Sequence, residues 1–291
     1  MSKKFILNAD NFGMSKAANH AVAEACETDF LKSVSLSPNG DAFDEAVNEI
    51  LPKCPDLDVG IHLNITQGKS LCADLNLLTD ANRNFCNSYF KILIMAFNPV
   101  KNEFLTEVER EFRRQIETVL AKVKVSHIDS NKHIHAIPPI FDMVCRLAKE
   151  YGIPQVRTHF EKFYYIPDIY KHMSKLYFRN FFKKFILNLM TIFNENTVIK
   201  YGLKTNDYTL GIGYASMMDS LALSYGINVL KYDNITVEAV VNPCRYEEGT
   251  IDNYFDEYLI TKNKKLKDKI IHSGYDITNY KKPQEENTEP E

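Results

Sequence analysis

The stretch His127-Ile128-Asp129-Ser130-Asn131-Lys132-His133-Ile134-His135 decides how the rest of the chain is read. It begins inside a strand-like segment, Val125 to Asp129, and its polar residues gather where that strand ends. Histidines two apart in an extended segment bring both rings to one side, which suits a metal ion or a sugar. The plainer alternative is a loop whose histidines face solvent or are satisfied in the core. Other segments repeat the placement. Asp10 and Asn11 follow a strand at Lys4–Ala9, and His62 ends one at Leu57–Leu63. Arg157 and His159 close Gln155–Thr158, and Asn242 closes Asn234–Val241. α/β barrels carry their chemistry at the carboxyl ends of parallel strands, so this placement is informative where any one residue would not be.

The segments between are helical or loop-like. Ser15 is placed to cap a helix running to about Glu27, and Asp41 opens another through Ile50. Phe104, Val108, Phe112, Ile116, Val119 and Val123 recur at helical spacing over Lys101–Val123, with charges between them. Further helices follow Pro138-Pro139, span Met217–Ser224 and begin near Asn253. Residues 64–88 read as a long loop. Strands alternating with helices imply a parallel sheet, either a TIM-like barrel or a doubly wound sheet. Neither GxGxxG nor GxxxxGK[ST] occurs, and there is no GxSxG.

The 291 residues are 45% hydrophobic and 25% charged, which excludes wholesale disorder. A net charge of -3 gives no reason to expect nucleic-acid binding and fits a neutral sugar better than a phosphate ligand. The six cysteines form no CxxC pair and read as reduced, buried small residues. The apolar start Phe5-Ile6-Leu7 is too short for a signal peptide, and no apolar run reaches membrane-spanning length, so a cytoplasmic protein is expected.

Single residues keep two readings each. Asp10 is a general base or a turn and helix-cap group. His62 is a metal ligand or a satisfied core histidine. Arg157 binds an anionic group or locks Asp10 in a buried pair. Residues 160–205 interrupt the strand–helix rhythm. Phe178, Phe181, Phe182, Phe185, Ile186, Leu189 and Phe193 follow helical spacing there, with Arg179, Lys183 and Lys184 between. This is a helix packed over the barrel or forming a dimer contact. The sharper reading is a basic interfacial helix that reaches a membrane or a lipid-linked sugar. The expected organisation is one domain over residues 1–275, with an insertion at about 160–205 and a disordered charged tail over 276–291.

Together these segments resemble the YdjC-like carbohydrate deacetylases. The family's NADDFG motif stands here as Asn8-Ala9-Asp10-Asn11-Phe12-Gly13. GxHxxxT stands as Gly60-Ile61-His62-Leu63-Asn64-Ile65-Thr66, and HxDSHxHxH as residues 127–135. Arg157 matches an arginine after the next strand, and Asn242-Pro243 matches a late His-Pro. The resemblance implies a distorted TIM-like (β/α) barrel and a hydrolase that removes N-acetyl groups from an amino sugar or oligosaccharide. It implies a divalent metal, Mg or Zn, at the positions of Asn11, His62 and Asn131. Asp10 is then the base, and Asn242 sits where a second catalytic group belongs. Asp129, His133, His135 and Arg157 are the implied substrate-binding residues. Family members are often homodimers.

The departures fall on the chemistry. An acid and two histidines of the family pattern are Asn11, Asn131 and Asn242 here. Amide oxygens suit hard cations and serve Zn²⁺ poorly. The resemblance therefore leaves open a deacetylase with impaired activity, a glycan-binding pseudoenzyme and an enzyme acting on a lipid-linked saccharide.

Overall fold

The computed structural model describes residues 3–98, 102–167, 175–245 and 254–281, with residues 175–177 described by backbone alone. Eight parallel strands form one curled sheet: β1 (Lys3–Phe12), β2 (Ser33–Leu36), β3 (Asp58–Leu63), β4 (His127–Ser130), β5 (Gln155–Val156), β6 (Tyr208–Leu210), β7 (Thr236–Val241) and β8 (Tyr275–Ile277). Their order is β5-β4-β3-β2-β1-β7-β6, with β8 beside β1. The open edges approach each other. Val156 donates its N–H to the Lys204 carbonyl at 3.1 Å, and Thr209 donates to Phe160 at 2.9 Å. The chain is a distorted TIM-like barrel.

The strands alternate with period two, and each phase has a destination. Phe5, Leu7 and Ala9 of β1, Val34 and Leu36 of β2, and Val59, Ile61 and Leu63 of β3 belong to the apolar core. The intervening residues Asn8, Asp10, Ser35, His127, Asp129 and Glu238 are also buried, and they bond to one another or through Arg157. The barrel interior is thus a polar layer. Register aligns it: Ser35 lies opposite Gly60, Gly60 opposite His127, and His62 opposite Asp129. A Cβ on Gly60 would meet the His127 ring at 2.2 Å, so only glycine fits beside that imidazole.

The helices are α1 (Lys16–Cys26), α2 (Phe43–Glu45), α3 (Tyr89–Ala96), α4 (Asn102–Leu120), α5 (Pro138–Glu150), α6 (Lys175–Tyr201), α7 (Ser220–Asn228), α8 (Phe255–Thr261) and α9 (Lys264–His272). Ser15 caps α1 as expected, accepting the Ala18 N–H at 3.2 Å. Along α4 the charges do not all face water. Glu107 accepts the backbone N–H groups of Asn76, Leu77 and Leu78, and Glu111 those of Leu71 and Cys72. These carboxylates organise the 64–88 loop.

Four expectations are corrected. The segment 131–136 is a 3₁₀ turn with Lys132 and His133 at φ 53° and 59°, not an extended strand, so His133 and His135 point to different environments. Cys26 and Cys54 are joined by a disulfide, so the six cysteines are not all reduced. The chain is ordered beyond 276: β8 pairs with β1, and Tyr280 stacks on His127 at 4.1 Å. Residues 282–291 of the expected tail lie outside the described residues. Finally, α6 packs on the barrel through a different stripe from the one its sequence suggested. Leu187, Met190 and Val198 are buried with Asn180, Lys184 and Asn194, whereas Phe182, Phe185, Leu189 and Phe193 are exposed.

Candidate functional site

A cavity of about 610 Å³ opens at the carboxyl end of the strands. Asp10, Asn11, His62, Asn131, His133 and Asn242 line it. The three remaining expected site residues do not. Asp129, His135 and Arg157 are fully buried off its surface, where Asp129 and Arg157 hold the lining residues His62 and Asp10.

Arg157 is the hub. Its Nη1 and Nη2 donate to the two Asp10 oxygens at 2.9 and 2.8 Å. Nη2 also lies 2.6 Å from Asp129 Oδ2, and Nε and Nη2 grip Glu238 at 3.0 and 2.7 Å. One guanidinium thus serves three buried carboxylates, the arrangement its planar fork of donors allows. Of the two readings of Arg157, the structure carries the buried lock on Asp10. Glu238 is a member of this cluster that sequence reading missed. Its signal was a lone acid in the apolar strand Val237-Glu238-Ala239-Val240-Val241, where an unpaired charge would be costly.

His62 Nδ1 meets Asp129 Oδ1 at 2.6 Å. An ionised carboxylate only accepts, so Nδ1 carries the proton and Nε2 is the ring nitrogen left for the cavity. Burial alone would lower the pKa of this imidazole, but the Asp129 and Asp10 charges outweigh it and hold it above the ordinary value. The Asp129 carboxyl is pulled well down, Arg157 and His62 overcoming its burial. Ser35 completes Asp129 by donating to Oδ2 at 2.6 Å.

The substituted positions bond to amides. Asn11, at φ 61°, donates from Nδ2 to Asn242 Oδ1 at 2.6 Å. Asn242 in turn donates its backbone N–H to Glu257 at 2.5 Å. Burial pushes the Glu257 carboxyl up to about 7. Asn131 donates to Asn64 Oδ1 at 3.3 Å. His133 faces the cavity, and its Nδ1 has no hydrogen-bond partner among the described residues. His135 is turned away, bonded to Ser130 Oγ at 2.5 Å and the Arg157 carbonyl at 3.1 Å. Lys132, Arg179 and Lys183 bring positive charge to the wall.

Ligand atoms of Asp10, His62 and Asp129 lie within 4.8 Å of one another, a grouping able to hold a metal in principle. Most of its donor atoms already have partners, His62 Nε2 being the exception. Both Asp10 oxygens and Asp129 Oδ2 face Arg157, Asp129 Oδ1 holds His62, and a guanidinium supplies the cation such carboxylates require. The set Asn11, His62 and Asn131 offers one imidazole and two neutral amides. Zinc-class ions take imidazole, thiolate or carboxylate donors, and with amides at two of three positions this set does not fit one.

The family model described as YdjC-like protein matches residues 4–279. The chain belongs to the YdjC-like family. Among curated relatives it is 37% identical over 152 residues to a carbohydrate deacetylase of Brevibacillus brevis, covering 52% of this chain and 58% of that protein. It is 38% identical over 158 residues to carbohydrate deacetylase 1 of Listeria innocua, covering 54% and 61%. The chain thus spans about three fifths of the length of the curated relatives it matches. A crystal structure of an Enterococcus faecalis protein, described as a "putative cellobiose-phosphate cleavage protein", superposes with a TM-score of 0.72. It is 21% identical and covers 96% of this chain and 98% of its own, a likeness of fold. Among the YdjC-like motifs, Asp10, His62 and Asp129 are joined in one network, while Asn11 and Asn242 close on each other.

Proposed function

We propose that the cavity binds an N-acetylated amino sugar or oligosaccharide and hydrolyses its acetamide slowly, without a tightly held metal. The observation that carries this reading is the contrast within one site. The Asp10–Arg157–Asp129–His62 network is bonded throughout, whereas two of the three metal positions, 11 and 131, are amides, and Asn11 is closed on Asn242 at 2.6 Å. The names of the curated relatives support the sugar and the hydrolytic reaction class.

In this reading a water attacks the acetamide carbonyl, the C–N bond breaks, and acetate and the free amine leave. Asp10 and His62 Nε2 are the cavity groups placed to take the water's proton and pass it to the amine. Asp129 fixes the His62 tautomer. Asn11 and Asn131 hydrogen-bond the sugar. Both Asp10 oxygens are committed to Arg157, which weakens Asp10 as a base, so the expected rate is low. A purely glycan-binding protein is the second reading, favoured by the Asn11–Asn242 bond. Acetate release from N-acetylglucosamine oligomers separates the two. Slow release by the parent chain that Asp10→Asn abolishes, with sugar binding retained in calorimetry, supports hydrolysis. Binding with no release leaves the glycan-binding reading. Neither binding nor release overturns both.

A further inference from the structure

Helix α6 is inverted for a helix packed on a barrel. Its inward stripe carries polar groups, each bonded: Asn180 donates to the Ala215 carbonyl at 2.8 Å, Lys184 to the Lys162 carbonyl at 2.8 Å, and Asn194 to the Ala136 carbonyl at 2.8 Å. Its outward stripe is apolar. Phe182, Phe185, Leu189, Ile192 and Phe193 are 57%, 55%, 46%, 58% and 64% exposed. A surface helix ordinarily puts these faces the other way round. Helix α3 buries apolar Ile92 and Ala96 but also leaves Phe90 and Ile94 exposed, with Phe97 exposed just past its end. The two helices adjoin, Tyr89 Oη lying 3.7 Å from Met190 Sδ. Phe90, Phe182 and Ile186 line the cavity itself, so the apolar face runs up to the mouth of the site. An apolar surface of this extent marks an interaction site.

We propose that this face docks on an anionic lipid surface, holding the cavity mouth against the headgroups. Charge favours this occupant. Exposed Lys91 and Arg179 flank the aromatics, and residues 89–96 and 175–194 contain no acid. Phosphate headgroups complement such a basic, aromatic face, as in helices that lie in the interface plane. A second copy would bring the same acid-free, basic face to both sides of the contact, with no complementary charge. No helix among the described residues is long and apolar enough to cross a bilayer, so the contact is peripheral. The consequence for substrate, a saccharide carried on a lipid, rests on the sugar reading above. Docking itself does not.

Flotation of the full chain with phosphatidylcholine vesicles, with and without phosphatidylglycerol, tests the docking with no sugar present. The chain floats with the anionic vesicles, and less so as salt rises. Phe185→Ser with Phe193→Ser lowers the bound fraction by about tenfold or more, with circular dichroism and melting temperature unchanged. If that pair misfolds, Ile94→Ser with Ile192→Ser replaces it. No flotation of the parent chain, or equal flotation of parent and variants, overturns the proposal. So does a dimer in sedimentation velocity that the same substitutions dissolve, in a chain that ignores vesicles.

Discussion

At the scale of single residues, the account turns on Arg157, whose guanidinium is fully buried among Asp10, Asp129 and Glu238. Removing one partner of a buried ion cluster leaves uncompensated charge, which costs about 3–5 kcal/mol. Arg157→Met is expected to lose about that much in urea unfolding. Arg157→Lys does not recover it, because an ammonium cannot reproduce the fork to Asp10 together with the grip on Glu238. Sequence reading offered Arg157 as an anion binder or as a lock on Asp10, and could not choose. The choice depends on strand register, which places β5 across the barrel from β1, and register is a long-range property. The placement of Asp10 and His62 at one cavity was legible only because several strand ends carry polar residues together, since each alone had a plainer reading. His135 was misplaced because nothing in the spacing of HIDSNKHIH reveals that Lys132 and His133 adopt left-handed backbone.

At the scale of elements, the barrel strands were legible and their interior was not. Alternation in Ser33-Val34-Ser35-Leu36 and Asp58-Val59-Gly60-Ile61-His62-Leu63 marks strands with one polar phase. That phase ordinarily faces water. Here it fills the barrel, because curling the sheet brings the polar residues of five strands within bonding distance. Gly60 shows how tightly they fit, and Gly60→Ala is expected to destabilise by about 1–3 kcal/mol. The measurement is a shifted urea midpoint with an unchanged slope, and an undisturbed midpoint would mean that the β3–β4 contact is looser than described. α6 is the opposite case. Its helical spacing was plain, yet the stripe that spacing selects faces outward. Periodicity identifies a helix without saying which stripe meets the core when both are mixed.

At the scale of the whole molecule, the polar interior makes the fold sensitive to acid. Burial lowers the pKa of His127 and of His135 to about 4. An unfolded histidine titrates near 6.5. Between those values the unfolded chain takes up protons that the folded chain refuses, so stability falls as pH drops, by about 3 kcal/mol for each residue. Glu257 acts in the other direction, since its raised pKa of about 7 makes the folded state bind a proton first as pH falls towards 4.5. Its contribution offsets only one of the two histidines, and His133 and His159, also pushed well down by burial, add to the loss. Urea midpoints are expected to fall steadily from about pH 6.5 to 4.5, and a flat profile would contradict the buried neutral histidines. The proposed reading is that amides at 11 and 131 deprive the site of a metal while the Asp10–Arg157–Asp129–His62 network stands. Isothermal titration with zinc, on the parent chain and on Asn11→Asp with Asn131→His, tests it most directly. No stoichiometric binding is expected of the parent chain, and one tight site in the double variant. Tight stoichiometric binding by the parent chain, or no gain in a folded double variant, would contradict it.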